Sequence, residues 1–389
     1  MSIEVLVTLS RYYGSNPEYV VAGGGNTSFK DESTLFIKSS GIALAEICAE
    51  DFVQMDRAGL ATIWEQAYPA GSDAREAAVL ADMMAARKPG ETAKRPSVET
   101  LLHDLFPFSY VVHTHPALVN GLTCSCTGEQ AARKLFGDQA IWIPSINPGY
   151  VLALAVKKAL AVAPKPVPSI ILLQNHGVFV GADSAEGIQE RYHHIMDTLR
   201  ACIQGEPDLS ERTASYGASP EIACLLRELA AKTAPQRNAP WQVCFERNAA
   251  LSTFIRDASS FYPVSSALTP DHIVYAGSDP LFIPVFDTPA SDVVRVIQEA
   301  WEGHLDKTGM IPKIVAVQGL GAFGIGTGEK APHRALELFT DALKVAVYAQ
   351  AFGGVCFMSP DKIRFINTWE VEQYRSQVAE TLALPIEKG

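Results

Sequence analysis

A short apolar run around two histidines places the strongest constraint on the fold. Residues 111–116 read Val-Val-His-Thr-His-Pro, and the β-branched residues that precede the first histidine predict a buried strand. Because successive side chains of a strand alternate between its two faces, His113 and His115 should point the same way. Two imidazoles on one face of a rigid element can begin a metal site. The run alone is equally compatible with a buried histidine pair that other protein groups satisfy.

A second apolar run ends in a third histidine. Residues 169–174 read Ser-Ile-Ile-Leu-Leu-Gln, which predicts another buried strand, and Asn175, His176 and Gly177 follow at its end. His176 therefore offers an imidazole at the end of a strand. Three histidines with one open coordination position suit a catalytic Zn²⁺ or a similar divalent ion.

Strands and helices alternate in both halves of the chain, which indicates the α/β class. A polar, turn-rich segment at residues 205–220 predicts two domains, 1–210 and 218–389. In the second half we expect a final helix over Thr368–Glu380, and we find no internal repeat. The expected strands of that half are Gln242–Phe245, Leu281–Pro284, Ile314–Gln318 and Val355–Met358.

Composition excludes several classes of protein. The net charge is −11 and no run of basic residues occurs, so nucleic acid is not an expected partner. The longest apolar run is far below the ~20 residues that span a membrane, and the N-terminus lacks the features of a signal peptide. Seven scattered cysteines form no disulfide framework. We therefore expect a cytoplasmic protein with no membrane partner.

Three loops of the first half have the composition of anion-binding loops: Gly23–Ser28, Lys38–Gly41 and Arg95–Glu99. Glycines let backbone NH groups turn toward a bound oxyanion. The third loop opens a predicted helix, Ser97–Phe106, and the first NH groups of a helix also attract anions. Each loop alone could be an ordinary turn, but three in one domain beside a histidine triad favour a phosphate site.

Glu99 is the candidate acid/base, predicted in the first turn of that helix. A carboxylate beside a divalent ion can remove a proton from carbon next to a polarised carbonyl. Alternatively, Glu99 could simply stabilise the positive end of the helix dipole. His103, one helical turn later, could contact Glu99 and is the second candidate.

Five motifs of the first half occur together in the order and spacing found in one known family. They are Gly25-Asn26-Thr27-Ser28, Lys38-Ser39-Ser40-Gly41, Arg95-Pro96-Ser97-Val98-Glu99, His113-Thr114-His115-Pro116 and Asn175-His176-Gly177. Over residues 1–205 the chain resembles the class II aldolase/adducin family. This family includes fuculose-1-phosphate and rhamnulose-1-phosphate aldolases and ribulose-5-phosphate 4-epimerase.

The resemblance implies a fold, a metal and a set of site residues. It implies a three-layer α/β/α domain that holds Zn²⁺, or another divalent metal, on His113, His115 and His176. Glu99 matches the acid/base that deprotonates dihydroxyacetone phosphate, and a symmetric homo-oligomer such as a tetramer is implied as well. The residues that match phosphate-binding positions are Gly25, Asn26, Ser39, Ser40, Gly41 and Ser97.

The chain departs from the family pattern at two positions. Val98 stands where family aldolases often have a second serine, and Ser145 lies where the small aldolases offer a tyrosine. The second half resembles the region that follows the aldolase domain in bifunctional rhamnulose-1-phosphate aldolase/alcohol dehydrogenases, at Pro312–Gly328 and Phe365–Gln373. This implies an aldolase-like unit alone, or one whose partner activity is on another chain. We therefore expect a smaller, Rossmann-like α/β domain after the first.

The second half also contains a G-x-G-x-x-G motif at Gly319–Gly324, directly after the predicted strand Ile314–Gln318. A dinucleotide site needs the helix to begin within such a motif. Here Gly326, Gly328 and Pro332 delay the helix, and no acidic residue follows at the required distance. We therefore predict a glycine-rich loop between strand and helix and no bound dinucleotide.

These observations favour a metal-dependent lyase that cleaves a ketose 1-phosphate through a metal-stabilised enediolate. Three alternatives stay open: a sugar-phosphate 4-epimerase that uses the same site, a non-catalytic adducin-like interaction protein, and a dinucleotide-dependent oxidoreductase that uses Gly319–Gly324. A sugar phosphate is the expected small-molecule partner of the lyase and of the epimerase.

Overall fold

The computed structural model describes residues 3–211, 219–234 and 239–369. The chain forms two compact units, Met1–Cys202 and Ile203–Gly389. Each unit contains one β-sheet with helices packed against it. The predicted α/β class is therefore confirmed.

The first unit holds eight α-helices and seven strands among its described residues. In chain order they are α1 Ile3–Gly14, β1 Asn26–Lys30, β2 Thr34–Lys38, β3 Phe52–Asp56, α2 Arg57–Thr62, α3 Ser72–Ala85, α4 Thr100–Leu105, β4 Tyr110–Thr114, α5 Ala117–Thr123, α6 Gly128–Phe136, β5 Ala140–Ile143, α7 Tyr150–Val162, β6 Ile170–Leu173, β7 Gly177–Ala182 and α8 Ala185–Arg200.

The seven strands form one sheet in the order β3-β2-β1-β4-β7-β6-β5. All neighbours are antiparallel except β5 and β6, which are joined through α7 and run parallel. Helices α1, α5 and α8 pack on one face, and α2, α3, α4 and α7 pack on the other. The unit is thus the predicted three-layer α/β/α sandwich.

Strand β4 lies at the centre of this sheet, and its five residues are all buried. Its valines, tyrosine and threonine suit a strand that is covered on both faces. The register places His113 opposite Asn26 of β1 and opposite Phe179 of β7. His113 therefore points from the middle of the sheet toward the layer that contains α4, the helix that follows Glu99.

The second unit holds six α-helices and four strands among its described residues. In chain order they are α9 Ser219–Thr233, β8 Trp241–Glu246, α10 Ala249–Phe254, α11 Ala258–Phe261, β9 Leu281–Ile283, α12 Val293–Thr308, β10 Ile314–Val317, β11 Gly321–Thr327, α13 Lys330–Ala349 and α14 Pro360–Thr368.

The second sheet has the order β8-β11-β10-β9, and only β9 and β10 are parallel. It is a mixed sheet rather than the parallel sheet of a dinucleotide-binding fold. Its order and strand directions reproduce those of β4-β7-β6-β5 in the first unit. The structure thus contains an internal repeat of topology that we did not predict from the sequence.

The Gly319–Gly324 motif is not the predicted loop between strand and helix. Gly321–Thr327 is strand β11, and a tight turn joins it to β10. The glycines serve close packing, because a Cβ on Gly321 would lie 2.4 Å from the Phe245 ring and one on Gly324 would lie 2.2 Å from the Pro332 carbonyl oxygen.

Two other predicted elements need correction, and a third lies mostly outside the described residues. The helix predicted over Ser97–Phe106 begins only at Thr100, and Ser97 instead donates its NH to the carbonyl of Lys38, the last residue of β2. Val355–Met358 is not a strand: it connects a turn at Phe352 to α14, with one isolated bridge at its first residue. The helix predicted over Thr368–Glu380 lies mostly outside the described residues, and α14 ends at Thr368.

Two observations bear on the environment of the protein. Among the described residues, no helix is both long and apolar enough to cross a membrane. The seven cysteines all carry free thiols.

Candidate active site

His113 has a defined orientation. The side chain is fully buried, and its ring stacks on Phe179 with centroids 4.0 Å apart. Nδ1 lies 3.0 Å from the carbonyl oxygen of Val178, to which it donates its proton. A hydrogen bond of this kind fixes the tautomer of a metal-binding imidazole and leaves the lone pair on Nε2.

The other two histidines lie close to His113, and each follows the end of a strand. His115 follows β4 directly, and its Nε2 lies 2.9 Å from Nε2 of His113. His176 ends the three-residue turn between β6 and β7, in which Asn175 adopts φ +59°. Asparagine tolerates this left-handed conformation better than most residues. The Asn175 NH binds the Thr123 carbonyl, which ties the turn to α5.

The three imidazoles form a group with the composition of a metal site. Their ligand atoms all lie within 4.8 Å of one another, and no other such group occurs among the described residues. Neutral imidazoles at this spacing suit Zn²⁺ and similar divalent ions. The structure thus brings His113, His115 and His176 together as expected, and their role as ligands stays a prediction.

Glu99 faces this histidine group. Its Oε1 lies 3.3 Å from Nε2 of His113 and 3.5 Å from Nε2 of His176. That oxygen is buried and accepts no hydrogen bond. The proton of His113 is on the nitrogen that faces away from it. A buried carboxylate oxygen without a donor is costly unless a cation or a proton compensates it. Glu99 Oε1 thus fits both a metal neighbour and a proton-transfer role.

Asn26 holds the other oxygen of Glu99. Its side-chain NH₂ donates to Glu99 Oε2 at 2.6 Å and to Ser97 Oγ at 3.2 Å. Ser97 Oγ also accepts the backbone NH of Glu99. The side chain of Asn26 thus positions the carboxylate of Glu99, and phosphate binding by Asn26 stays a prediction. Asn26 lies opposite His113 because of the register between β1 and β4, and no local pattern in the sequence predicts that register.

His103 supports Asn26 and makes no side-chain contact with Glu99, contrary to expectation. Its Nε2 binds the Asn26 carbonyl oxygen, and its Nδ1 binds Ser28 Oγ at 2.7 Å. Burial lowers the pKa of His103 well below its usual value, and the charges of His113 and Lys30 act in the same direction. A neutral His103 donates to Asn26 and accepts from Ser28, so it is a positioning residue.

The predicted phosphate loops converge beside Glu99. Ser39 forms an antiparallel bridge with Pro96, and the Ser40 NH binds the Arg95 carbonyl at 2.8 Å. The Asn26–Ser97 contact joins Gly25 and the first loop to this pair. Gly25 and Gly41 have φ +73° and +90°, which favour glycine. The loops therefore lie together as an anion site would require, and phosphate binding by these residues stays a prediction.

Replacing Gly177 with Ala should weaken metal binding. An added Cβ would lie 2.5 Å from the Thr114 carbonyl oxygen and 2.7 Å from Cδ2 of His115, so the imidazole must move. We expect destabilisation of about 1–3 kcal/mol, typical of overpacking, and a lower metal content by elemental analysis. The matched control is Gly71→Ala, since no atom lies within 4 Å of its Cβ position. Equal metal content in the two variants would contradict the proposed ligand geometry.

Comparisons with known proteins identify the family of the first unit. Residues 4–203 match the family described as "Class II Aldolase and Adducin N-terminal domain". A curated relative from Bacillus subtilis (strain 168), named "Uncharacterized oxidoreductase YuxG", is 22% identical over 422 residues. The alignment covers 97% of this chain but only 58% of that relative.

Two solved structures show similarity over about half of the chain. One is the N-terminal class II aldolase domain of a conserved protein from Thermoplasma acidophilum, which is 26% identical with a TM-score of 0.44 and covers 52% of this chain and 93% of its own. The other is an L-fuculose-1-phosphate aldolase from Thermus thermophilus, which is 16% identical with a TM-score of 0.33 and covers 50% and 92%. Since the family match alone spans just over half of the 389 residues, the chain belongs to the class II aldolase and adducin family.

Proposed function

We propose that this chain is a metal-dependent carbon–carbon lyase that cleaves a ketose 1-phosphate. The observation that carries the proposal is the position of Glu99. Its Oε1 lies 3.3 and 3.5 Å from Nε2 of two of the three clustered imidazoles. A group that moves a proton on carbon must lie beside the ion that polarises the adjacent carbonyl.

His113, His115 and His176 would hold the ion, for which Zn²⁺ is our proposal. A divalent ion there would supply Lewis-acid polarisation of the substrate carbonyl. The imidazoles offer three neutral nitrogens, so the ion would keep a net positive charge. His113 donates a hydrogen bond from Nδ1 to the Val178 carbonyl oxygen, and this bond keeps Nε2, the proposed ligand nitrogen, directed at the site.

Glu99 would remove and return the substrate proton at Oε1. Asn26 keeps Oε2 occupied, so the two oxygens are not equivalent and Oε1 is the one directed at the histidine group. His103 stays neutral and holds Asn26 in place. The substrate carbon acid should therefore meet a carboxylate that is oriented before the substrate binds.

The loops around Ser39 and Ser97 would bind the phosphate. The chain carries a net charge of −11, so no long-range attraction draws an anion to the site. Local donors must suffice, and Ser97 Oγ accepts two hydrogen bonds while keeping its own proton to donate. Backbone NH groups near Gly41 would add to this site.

A test of the function starts from purified full-length protein with its metal content measured. Ketose 1-phosphates and pentulose 5-phosphates are then incubated with the protein, and products are resolved by chromatography. Formation of dihydroxyacetone phosphate and an aldehyde would support the lyase. Conversion of a pentulose 5-phosphate into its 4-epimer would favour the epimerase, which uses the same residues. A metal-free protein that is inactive on the whole panel would favour an adducin-like interaction protein.

The name of the Bacillus subtilis relative makes an oxidoreductase the main alternative from another class. In this chain, however, Gly321 and Gly324 lie inside β11, whose backbone pairs with β10 and β8. We expect no binding of NAD or NADP at this motif, because its NH groups lie in a strand rather than at a helix N-terminus. Calorimetric titration should give no dissociation constant tighter than about 100 μM, or roughly −5.5 kcal/mol. Tighter binding would favour the oxidoreductase.

A further inference from the structure

The second unit repeats the half of the first unit that carries the histidines. Both copies share the strand order, the parallel pair and the tight turn, and four backbone hydrogen bonds and one side-chain bond recur at equivalent positions. In the first unit the bonds are Gln174 NH to Ile143 O, Asn175 NH to Thr123 O, His176 NH to Leu173 O, Gly181 NH to Ser169 O and Ser145 NH to Gln174 Oε1. In the second unit their counterparts, in the same order, are Gln318 NH to Ile283 O, Gly319 NH to Ile255 O, Leu320 NH to Val317 O, Ile325 NH to Lys313 O and Val285 NH to Gln318 Oε1.

These matches assign a counterpart to each histidine. Phe179 pairs with His113 across β7 and β4, and Phe323 pairs with Phe245 across β11 and β8. Phe245 therefore occupies the position of His113, and its ring contacts Phe323 with centroids 4.9 Å apart. By the same register Arg247 occupies the position of His115.

The third histidine, His176, corresponds to Leu320, the last residue of the matching turn. The repeat thus replaces the three imidazoles by an aromatic ring, a guanidinium and an aliphatic side chain. None of these three is a metal ligand, but one carries a positive charge. The second unit therefore keeps a cation where the first unit would hold its metal.

The guanidinium of Arg247 has open donors. Its Nε and Nη1 are buried, and neither has a hydrogen-bond partner among the described residues. The adjacent Glu246 supplies none: Nε and Nη1 of Arg247 bond to neither of its oxygens, and its Oε1 accepts from Asn248 at 2.8 Å and from Thr340 at 3.3 Å. Buried guanidinium NH groups without acceptors are costly, and an oxyanion is a partner that matches their charge and donors.

We propose that Arg247 anchors a second, metal-free site that binds the oxyanion of a small molecule, a phosphate monoester or a carboxylate. The site lies at the end of β8, at the position that corresponds to His115 in the first unit. It does not depend on the proposed lyase activity, because no residue is shared between the two sites.

The test compares phosphate binding by full-length wild type, Arg247→Gln and Arg247→Lys, measured by calorimetry at constant ionic strength. We expect Arg247→Gln to lose one phosphate-binding event per chain, and Arg247→Lys to bind there about tenfold more weakly, because an ammonium group has fewer donors and lacks the fixed planar geometry of a guanidinium. Acetate titrations separate the two ligand classes: competition by acetate assigns a carboxylate, and its absence assigns a phosphate monoester. Equal phosphate binding by Arg247→Gln and wild type would overturn the proposal.

A second measurement needs no variant and decides the question if Arg247→Gln does not fold. Wild-type protein is treated with phenylglyoxal, with and without inorganic phosphate, and the modified arginines are quantified by peptide mass spectrometry. Phosphate should slow modification of Arg247 several-fold while that of the exposed Arg256 is unchanged. Equal modification of Arg247 under both conditions, including no modification under either, would contradict an anion site there.

Discussion

Replacement of Glu99 by Gln is expected to remove most turnover while the metal stays bound. The amide has the shape of the carboxylate and can still accept a hydrogen bond from Asn26. It cannot accept a proton from carbon. Loss of a general base typically costs roughly 10²–10⁴-fold in rate, and we expect kcat to fall within that range. Steady-state kinetics on the ketose 1-phosphate that the incubation panel identifies, together with elemental analysis, measures both quantities.

Glu76→Gln is the matched control for this variant. Glu76 is a buried glutamate of the same unit, and its Oε2 accepts the backbone NH of Tyr150 away from the histidines. The Glu76→Gln substitution should change the stability of the protein more than it changes kcat. If Glu99→Gln kept the wild-type rate, Glu99 would not be the base. His103 is a poor substitute, because burial lowers its pKa and so makes it a weak base, and because both of its ring nitrogens bind Asn26 and Ser28.

The clustering of the three histidines could be predicted because local patterns in the sequence determine it. Successive side chains alternate between the two faces of a strand, so His113 and His115 point to the same side. His176 lies in a turn that follows an apolar strand, which the sequence also predicts. The contacts of Asn26 could not be predicted in the same way. They depend on the register between β1 and β4, which pairs residues far apart in the chain.

The repeat in the second unit was also invisible in the sequence, and its glycines suggested the wrong element. Only a few positions match, such as Gln174 with Gln318 and Gly177 with Gly321. Backbone hydrogen bonds preserve a fold without preserving side chains, so topology can persist where residues differ. Gly324 shows the converse problem: the sequence does not distinguish a glycine that close packing requires from a glycine that a phosphate-binding loop requires.

Replacement of His115 by Ala is expected to reduce the metal from about one ion per chain to a small fraction of that. His115 Nε2 lies 2.9 Å from that of His113, so the change removes one of three ligand nitrogens. Even changes in the outer shell of a metal site typically cost roughly 10–100-fold in affinity, and loss of a direct ligand should cost more. Elemental analysis after dialysis measures the effect, with the exposed His193→Ala of the same unit as control.

Thermal unfolding gives an independent measure of the same site. A ligand that binds only the folded state raises its stability by an amount that grows with ligand concentration. Added Zn²⁺ should therefore raise the melting temperature of metal-stripped wild type and of His193→Ala, and have much less effect on His115→Ala. If zinc stabilised all three proteins equally, the ion would be bound elsewhere. The pairing of Glu99 with the histidine group would then be a buried polar network without a metal.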